Sequence, residues 1–342
     1  MKKIFLNIFF LSVVFTGYLT AQNIQIKGFT NVDASAIFDS SSYKNHFALG
    51  QYDLFITSKI TEKVSFLGET VFEYKNSFQV GVERAIINYH FKDYCFLTVG
   101  KQYTPIGYWN NAYHHGLVLQ PTINRPNIVK EDFGGDWLPL EDVAVQLNGE
   151  GITKMNLGYN LMVGNGIAST PVDDFNESKA VCLNLHAEPV DNLKFYVSGY
   201  DDNVPAGTTT LQGIQVAHKS NLLISNASVA YTNGKLPVEF IAEYYNLRTQ
   251  MLDSSFTASS NGFLIYAGYK FKKLKFVPYT VYDGVMLDKN EKYFTQYNTS
   301  SLTVGLRYII HPLSVIKLEL KDMYTKEFGT QYRIDLQFAV GF

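Results

Sequence analysis

Two adjacent histidines, His114 and His115, are the residue types most suggestive of chemistry, since paired imidazoles can ligate a metal and one alone can activate a nucleophile. No HExxH surrounds them and no cysteine lies near, so their spacing specifies no metal, and a hydrogen-bonded or solvated loop pair is the plainer reading. A hydrolase would also need a nucleophile and an orienting partner within hydrogen-bond reach, and no GxSxG supplies them. GNGIAS at 164–169 matches half of a dinucleotide fingerprint, but no helical periodicity follows it. No phosphate loop or zinc spacing is present, and a net charge of -2 leaves no electrostatic footprint for nucleic acid. The sequence thus predicts no enzyme, no cofactor, no metal site and no nucleic-acid partner.

What remains for function is charge set opposite apolar residues. Residues 313–324 place Ile316, Leu318 and Leu320 against Lys317, Glu319 and Lys321. The C-terminal YRIDLQFAVGF places Tyr332, Ile334, Leu336, Phe338, Val340 and Phe342 against Arg333, Asp335, Gln337 and Ala339. Such period-two patterning predicts strands with one apolar face. About sixteen segments of this kind run from residue 24 to the C-terminus, the seventh over 153–165 and the tenth over an overlong 211–232. In the fourth, Phe78, Val80 and Val82 share one phase whereas Ile87, Tyr89 and Phe91 share the other, which predicts a bulge near 83–85. Sustained helical periodicity is absent.

Even-numbered segments are joined to the next by short turns such as TEK at 61–63 and HP at 311–312, and odd-numbered ones mostly by longer links. That alternation, with 24 Tyr and 25 Phe and an even strand number, predicts an all-β fold: a closed antiparallel transmembrane β-barrel of about sixteen strands, with short periplasmic turns and long extracellular loops. Closure follows because an open sheet edge in hydrocarbon would leave backbone donors and acceptors unsatisfied. Lys2 and Lys3, an apolar run and a site near Ala21 predict a signal peptide over 1–21 and export, with 22–342 as the barrel. Cys95 and Cys182 fall on strands too far apart to bridge.

If the apolar stripes face lipid, the opposite faces line a wet lumen with Glu69, Glu73, Arg307, Lys317, Glu319, Lys321, Arg333 and Asp335, joined by Lys194, Glu239, Glu243 and Lys270. Lys317, Glu319 and Lys321 are expected to pair as a ladder with Arg333 and Asp335 on the next strand. The longest link, 105–140, is rich in aromatic residues, which argues against disorder.

The alternating strands, the export signal, the terminal Phe342 and LTVGKQYTPIGYWN at 97–110 together resemble Gram-negative outer-membrane porins, especially the phosphate-selective-porin-like family. The resemblance implies that the 105–140 loop folds into the lumen and narrows it. Arg125, Lys130, Glu131, Asp132 and Asp136, with Glu141, Asp142 and the histidines beside them, would then form the constriction. Their sum is negative, which favours cations; the basic cluster expected of a phosphate-selective pore is missing. The resemblance further implies a homotrimer in outer-membrane lipid, and a C-terminal Phe342 read by the barrel-insertion machinery. The function expected is passive diffusion of small polar solutes or ions. A barrel-embedded lipid hydrolase and an adhesin or scaffold barrel are the alternatives.

Overall fold

The computed structural model describes all residues except 1–22, 40–41, 75–76, 115–117, 131–136, 168–173, 175–177, 209–214, 233, 272 and 295–296, so the expected signal peptide lies outside the described residues. Sixteen antiparallel strands close into one barrel. They are β1 (Asn23–Phe38), β2 (Tyr43–Lys59), β3 (Val64–Tyr74), β4 (Phe78–Lys92), β5 (Cys95–Tyr103), β6 (Glu141–Gly149), β7 (Gly158–Gly164) and β8 (Ala180–Val190). The second half comprises β9 (Leu193–Val204), β10 (Ser220–Tyr231), β11 (Val238–Met251), β12 (Thr257–Tyr269), β13 (Phe276–Met286), β14 (Thr299–His311), β15 (Ser314–Thr325) and β16 (Gly329–Gly341). Each strand pairs with its sequence neighbours, and the seam joins β1 to β16 from Phe29↔Gly341 to Phe38↔Tyr332.

The strand faces have the inverted pattern that a hydrocarbon environment requires. On β16 Ile334, Leu336 and Phe338 are exposed, whereas Asp335 and Gln337 are buried; on β15 Leu318 and Leu320 are exposed, whereas Lys317 and Glu319 are wholly buried. Exposed aromatic pairs mark both rims: Phe38–Tyr43 and Tyr74–Phe78 at the long-loop end, and Tyr89–Phe91 and Tyr269–Phe271 at the short-turn end. These are the interfacial girdles of a membrane barrel. No helix among the described residues is long and apolar enough to cross a membrane.

The bulge predicted near 83–85 is present. Glu69 pairs with Arg84 and Thr70 with Val82, so Glu83 is the extra residue. A strict pleat would send Glu83 and Arg84 to opposite faces; the bulge turns both toward the interior.

The two largest departures from the expected boundaries are the starts of β7 and β10. β7 begins at Gly158, because Ile152 donates its backbone N–H to the Leu157 carbonyl and Asn156 adopts a positive φ of 53°. The alternation of 153–157 therefore runs through a turn. β10 begins at Ser220, and Val216, within the expected strand, instead lies in the preceding loop, packed on Val204.

The interior is not uniformly wet. On the side formed by β6 to β13, inward positions are Met162, Leu222, Ile224, Ile241, Leu247 and Leu264, all fully buried in one apolar cluster with residues of the 105–140 loop.

Candidate functional site

The loop between β5 and β6 enters the barrel and is tied to its wall at successive strands. A short helix, Tyr108–Tyr113, begins against Glu243 of β11, whose carboxylate accepts the backbone N–H groups of Tyr108 at 2.9 Å and Trp109 at 2.6 Å. Glu243 also accepts from Ser228 at 2.8 Å and the Tyr245 hydroxyl at 2.6 Å. The helix can approach this closely because residue 107 is glycine, with φ of 68°; a Cβ there would collide with the Tyr245 hydroxyl and the Glu243 carboxylate.

The chain then passes β15 and β13. Glu319 of β15 accepts the Ile123 N–H at 2.7 Å and the Asn124 N–H at 3.1 Å, and Lys317 donates to the Thr122 carbonyl at 3.0 Å. Asp283 of β13 accepts the Asn127 N–H at 2.7 Å. Three wall carboxylates thus satisfy loop backbone donors that would otherwise be buried without partners. Along the same loop Ile106, Trp109, Ile128 and Leu138 are at most 1% exposed. At about 1.5–3 kcal/mol for each buried side chain, the described part of the loop is a fixed part of the lumen and not a swinging lid.

The expected charge ladder on β15 and β16 takes a different form. Register sets like against like, Glu319 opposite Asp335 and Lys321 opposite Arg333, an arrangement that is unfavourable on its own. The loop relieves it: the Asn124 side-chain amide donates at 2.8 Å to both Glu319 and Asp335. Arg333 pairs instead along its own strand with Asp335 at 3.0 Å. Elsewhere opposite charges do meet. Glu69 pairs with Arg84 and accepts the Tyr103 hydroxyl, and Glu239 pairs with Arg307 at 2.8 Å and Lys270 at 3.0 Å.

The segment 118–125 leaves a cavity on each side. Toward the long-loop end one of about 260 Å³ is lined by Asp33, Glu73, Arg125, Lys130, Arg333 and Asp335. Toward the short-turn end one of about 530 Å³ is lined by Tyr113, Leu119, Lys194, Glu239, Lys270 and Arg307. The expected constriction residues therefore separate. Arg125 and Lys130 line the first cavity, whereas His114 is buried, its ring 4.1 Å from that of Tyr103 and its Nδ1 2.6 Å from the Asn110 amide oxygen. His115, Glu131, Asp132 and Asp136 lie outside the described residues. Of the wall set, Glu73, Arg333 and Asp335 line the first cavity and Arg307 the second; Lys317 and Glu319 serve as loop anchors. Asp283 and Asn124 were not singled out by sequence, because an Asp on a strand and an Asn in a loop carry no distinguishing signal until the register and loop path are known. At the seam Phe342 exchanges two backbone hydrogen bonds with Gly28, at 2.9 and 3.0 Å, and stacks on Tyr52 with centroids 6.0 Å apart.

No family model matches the chain, and no curated protein matches it. Solved structures do. The anion-selective porin from Comamonas acidovorans is similar with a TM-score of 0.69 at 7% identity, covering 94% of this chain and 100% of that one. Salmonella typhi OmpF, in complex with daunomycin, has a TM-score of 0.66 at 10% identity over 95% of this chain and 99% of that one. OmpT, an outer membrane protein of Vibrio cholerae, has 0.64 at 14% identity over 94% and 98% respectively. At these identities the likeness concerns the fold: the chain has the closed sixteen-strand barrel of the outer-membrane porins.

Proposed function

We propose that this protein is an outer-membrane porin through which small hydrophilic solutes or ions diffuse passively, without covalent chemistry. The observation that carries the reading is the lumen itself: a closed barrel with an apolar outer band, in which a pinned loop is flanked by two cavities lined with charged side chains. The outer-membrane location and the export signal belong to the same reading. So does a homotrimer, a state named for an in-vitro folded form of Vibrio cholerae OmpT, which has a TM-score of 0.65 at 13% identity.

The finer assignment to a phosphate-selective family gains little support. In the smaller cavity Asp33, Glu73 and Asp335 balance Arg125, Lys130 and Arg333, and in the larger one Glu239 engages Arg307 and Lys270, with Lys194 as a third base. Neither lining is the open basic cluster that selective anion passage needs. The weak cation preference rests on the acids of the loop sequence, Glu131, Asp132 and Asp136, and not on the two cavity linings. The hydrolase alternative is not favoured: His114 hydrogen-bonds an amide, Asn110, and its ring packs on Tyr103.

Proteoliposome swelling tests the proposal. Liposomes containing the folded barrel should swell in isotonic monosaccharide faster than protein-free liposomes, and more slowly as the sugar grows. Swelling no faster than in protein-free liposomes would remove the porin reading and leave the adhesin or scaffold.

A further inference from the structure

Behind the loop, on the wall formed by β4 to β6, three side chains from separate parts of the chain converge. They are Glu83, the bulged residue of β4; His114, which follows the loop helix; and Glu141, the first residue of β6. Each offers one ligand atom, and the three atoms lie within 4.8 Å of one another. From this we infer that the barrel holds a divalent transition cation of the zinc class, bound by one imidazole nitrogen and two carboxylate oxygens at the root of the loop.

Four features support the site. The donor set of one nitrogen and two oxygens suits zinc, which binds imidazole at about 2.0–2.1 Å and carboxylate at about 2.0–2.2 Å. Donors sharing one tetrahedral ion at those bond lengths stand roughly 3.3 Å apart, a contraction that rotation of the two glutamate side chains supplies. The His114 Nδ1 is held at 2.6 Å by the Asn110 amide oxygen, an outer-shell hydrogen bond that places the ring proton on Nδ1 and the lone pair on Nε2. Finally, the bulge lets Glu83 and Arg84 both face the interior, where Arg84 pairs with Glu69. Two carboxylates gathered beside one imidazole attract cations. The Lys101 ammonium, 2.8 Å from Glu141, compensates one carboxylate and would compete with the ion.

Such an ion would join the loop to β4 and to the start of β6, closing the loop at its base while Glu243, Asp283 and Glu319 hold it across the lumen. The inference does not depend on conduction, because binding is measured without a membrane gradient.

The test is calorimetric titration of the refolded full-length mature barrel in detergent with zinc chloride alone. One zinc per chain is expected. Outer-shell changes alone weaken metal sites about 10–100-fold, so Glu83→Gln, His114→Gln and Glu141→Gln should each weaken binding at least about tenfold. His46→Gln, at an exposed histidine of β2, should leave it unchanged. Lys101→Met should tighten binding by removing the competing ammonium, a gain that a merely structural role for the cluster would not produce. Each glutamine variant that recovers the folded barrel, judged by heat-modifiable gel mobility, decides independently of the others. Absence of zinc binding to the unsubstituted barrel, or equal affinity in the folded glutamine variants, would overturn the site.

Discussion

Glu243→Ala is expected to raise single-channel conductance several-fold and to make the current noisy, with the barrel still assembled. The carboxylate receives four donors, two of them the backbone N–H groups that begin the loop helix. Hydrogen bonds to a charged acceptor contribute about 1.5–3 kcal/mol each, so losing the two helix contacts alone costs about 3–6 kcal/mol. That is comparable with the burial of two or three of the loop's apolar side chains, enough to detach this end while the anchors at Asp283 and Glu319 remain. Glu243→Gln should give a smaller effect, because one amide face still accepts while the other presents a donor to the helix N–H groups. Planar-bilayer recording of both variants checks this ordering. Unchanged conductance in Glu243→Ala would mean that the loop does not limit the pore.

Deleting Phe342 should sharply reduce the amount of assembled barrel in the outer membrane and leave the conductance of each assembled channel unchanged. The residue lies beyond the last paired strand position, at the short-turn end of the seam, where its backbone exchanges two hydrogen bonds with Gly28 and its ring, 53% exposed, lies against Tyr52. None of these contacts reaches the lumen. Removal therefore affects closure of β1 on β16, not the cavities around 118–125. Heat-modifiable mobility of membrane fractions, with bilayer recordings of whatever barrel is recovered, separates the two effects. Undiminished assembly would show that Phe342 is dispensable.

The strand count, the alternation of short and long connections, and the Glu83 bulge were legible because each follows from period-two patterning and its interruption. The boundary of β7 was not, since Met155 and Leu157 continue the alternation through a turn whose reversal depends on Asn156 at positive φ. The apolar inner wall could have been inferred. Leu222 with Leu223, Ile241 with Phe240, and Leu264 with Ile265 are neighbours of which one faces inward and the other outward. A strand apolar on both faces in a barrel marks the part of the wall that something covers. The like-charge contacts of Glu319 with Asp335 were hidden because side-chain period says which face a residue takes, but only register says what stands opposite. The loop's route was hidden for the same reason, since Glu243, Asp283 and Glu319 differ in no sequence property from other inward-facing acids.

If the lumen conducts past the fixed loop, ions must cross a membrane that holds the barrel. The most direct test is single-channel recording of the purified, folded barrel in a planar bilayer. Discrete, stepwise current increases are expected as barrels insert, with a small reversal potential in a salt gradient of the sign for weak cation preference. A folded protein that inserts into the bilayer and passes no current would contradict it.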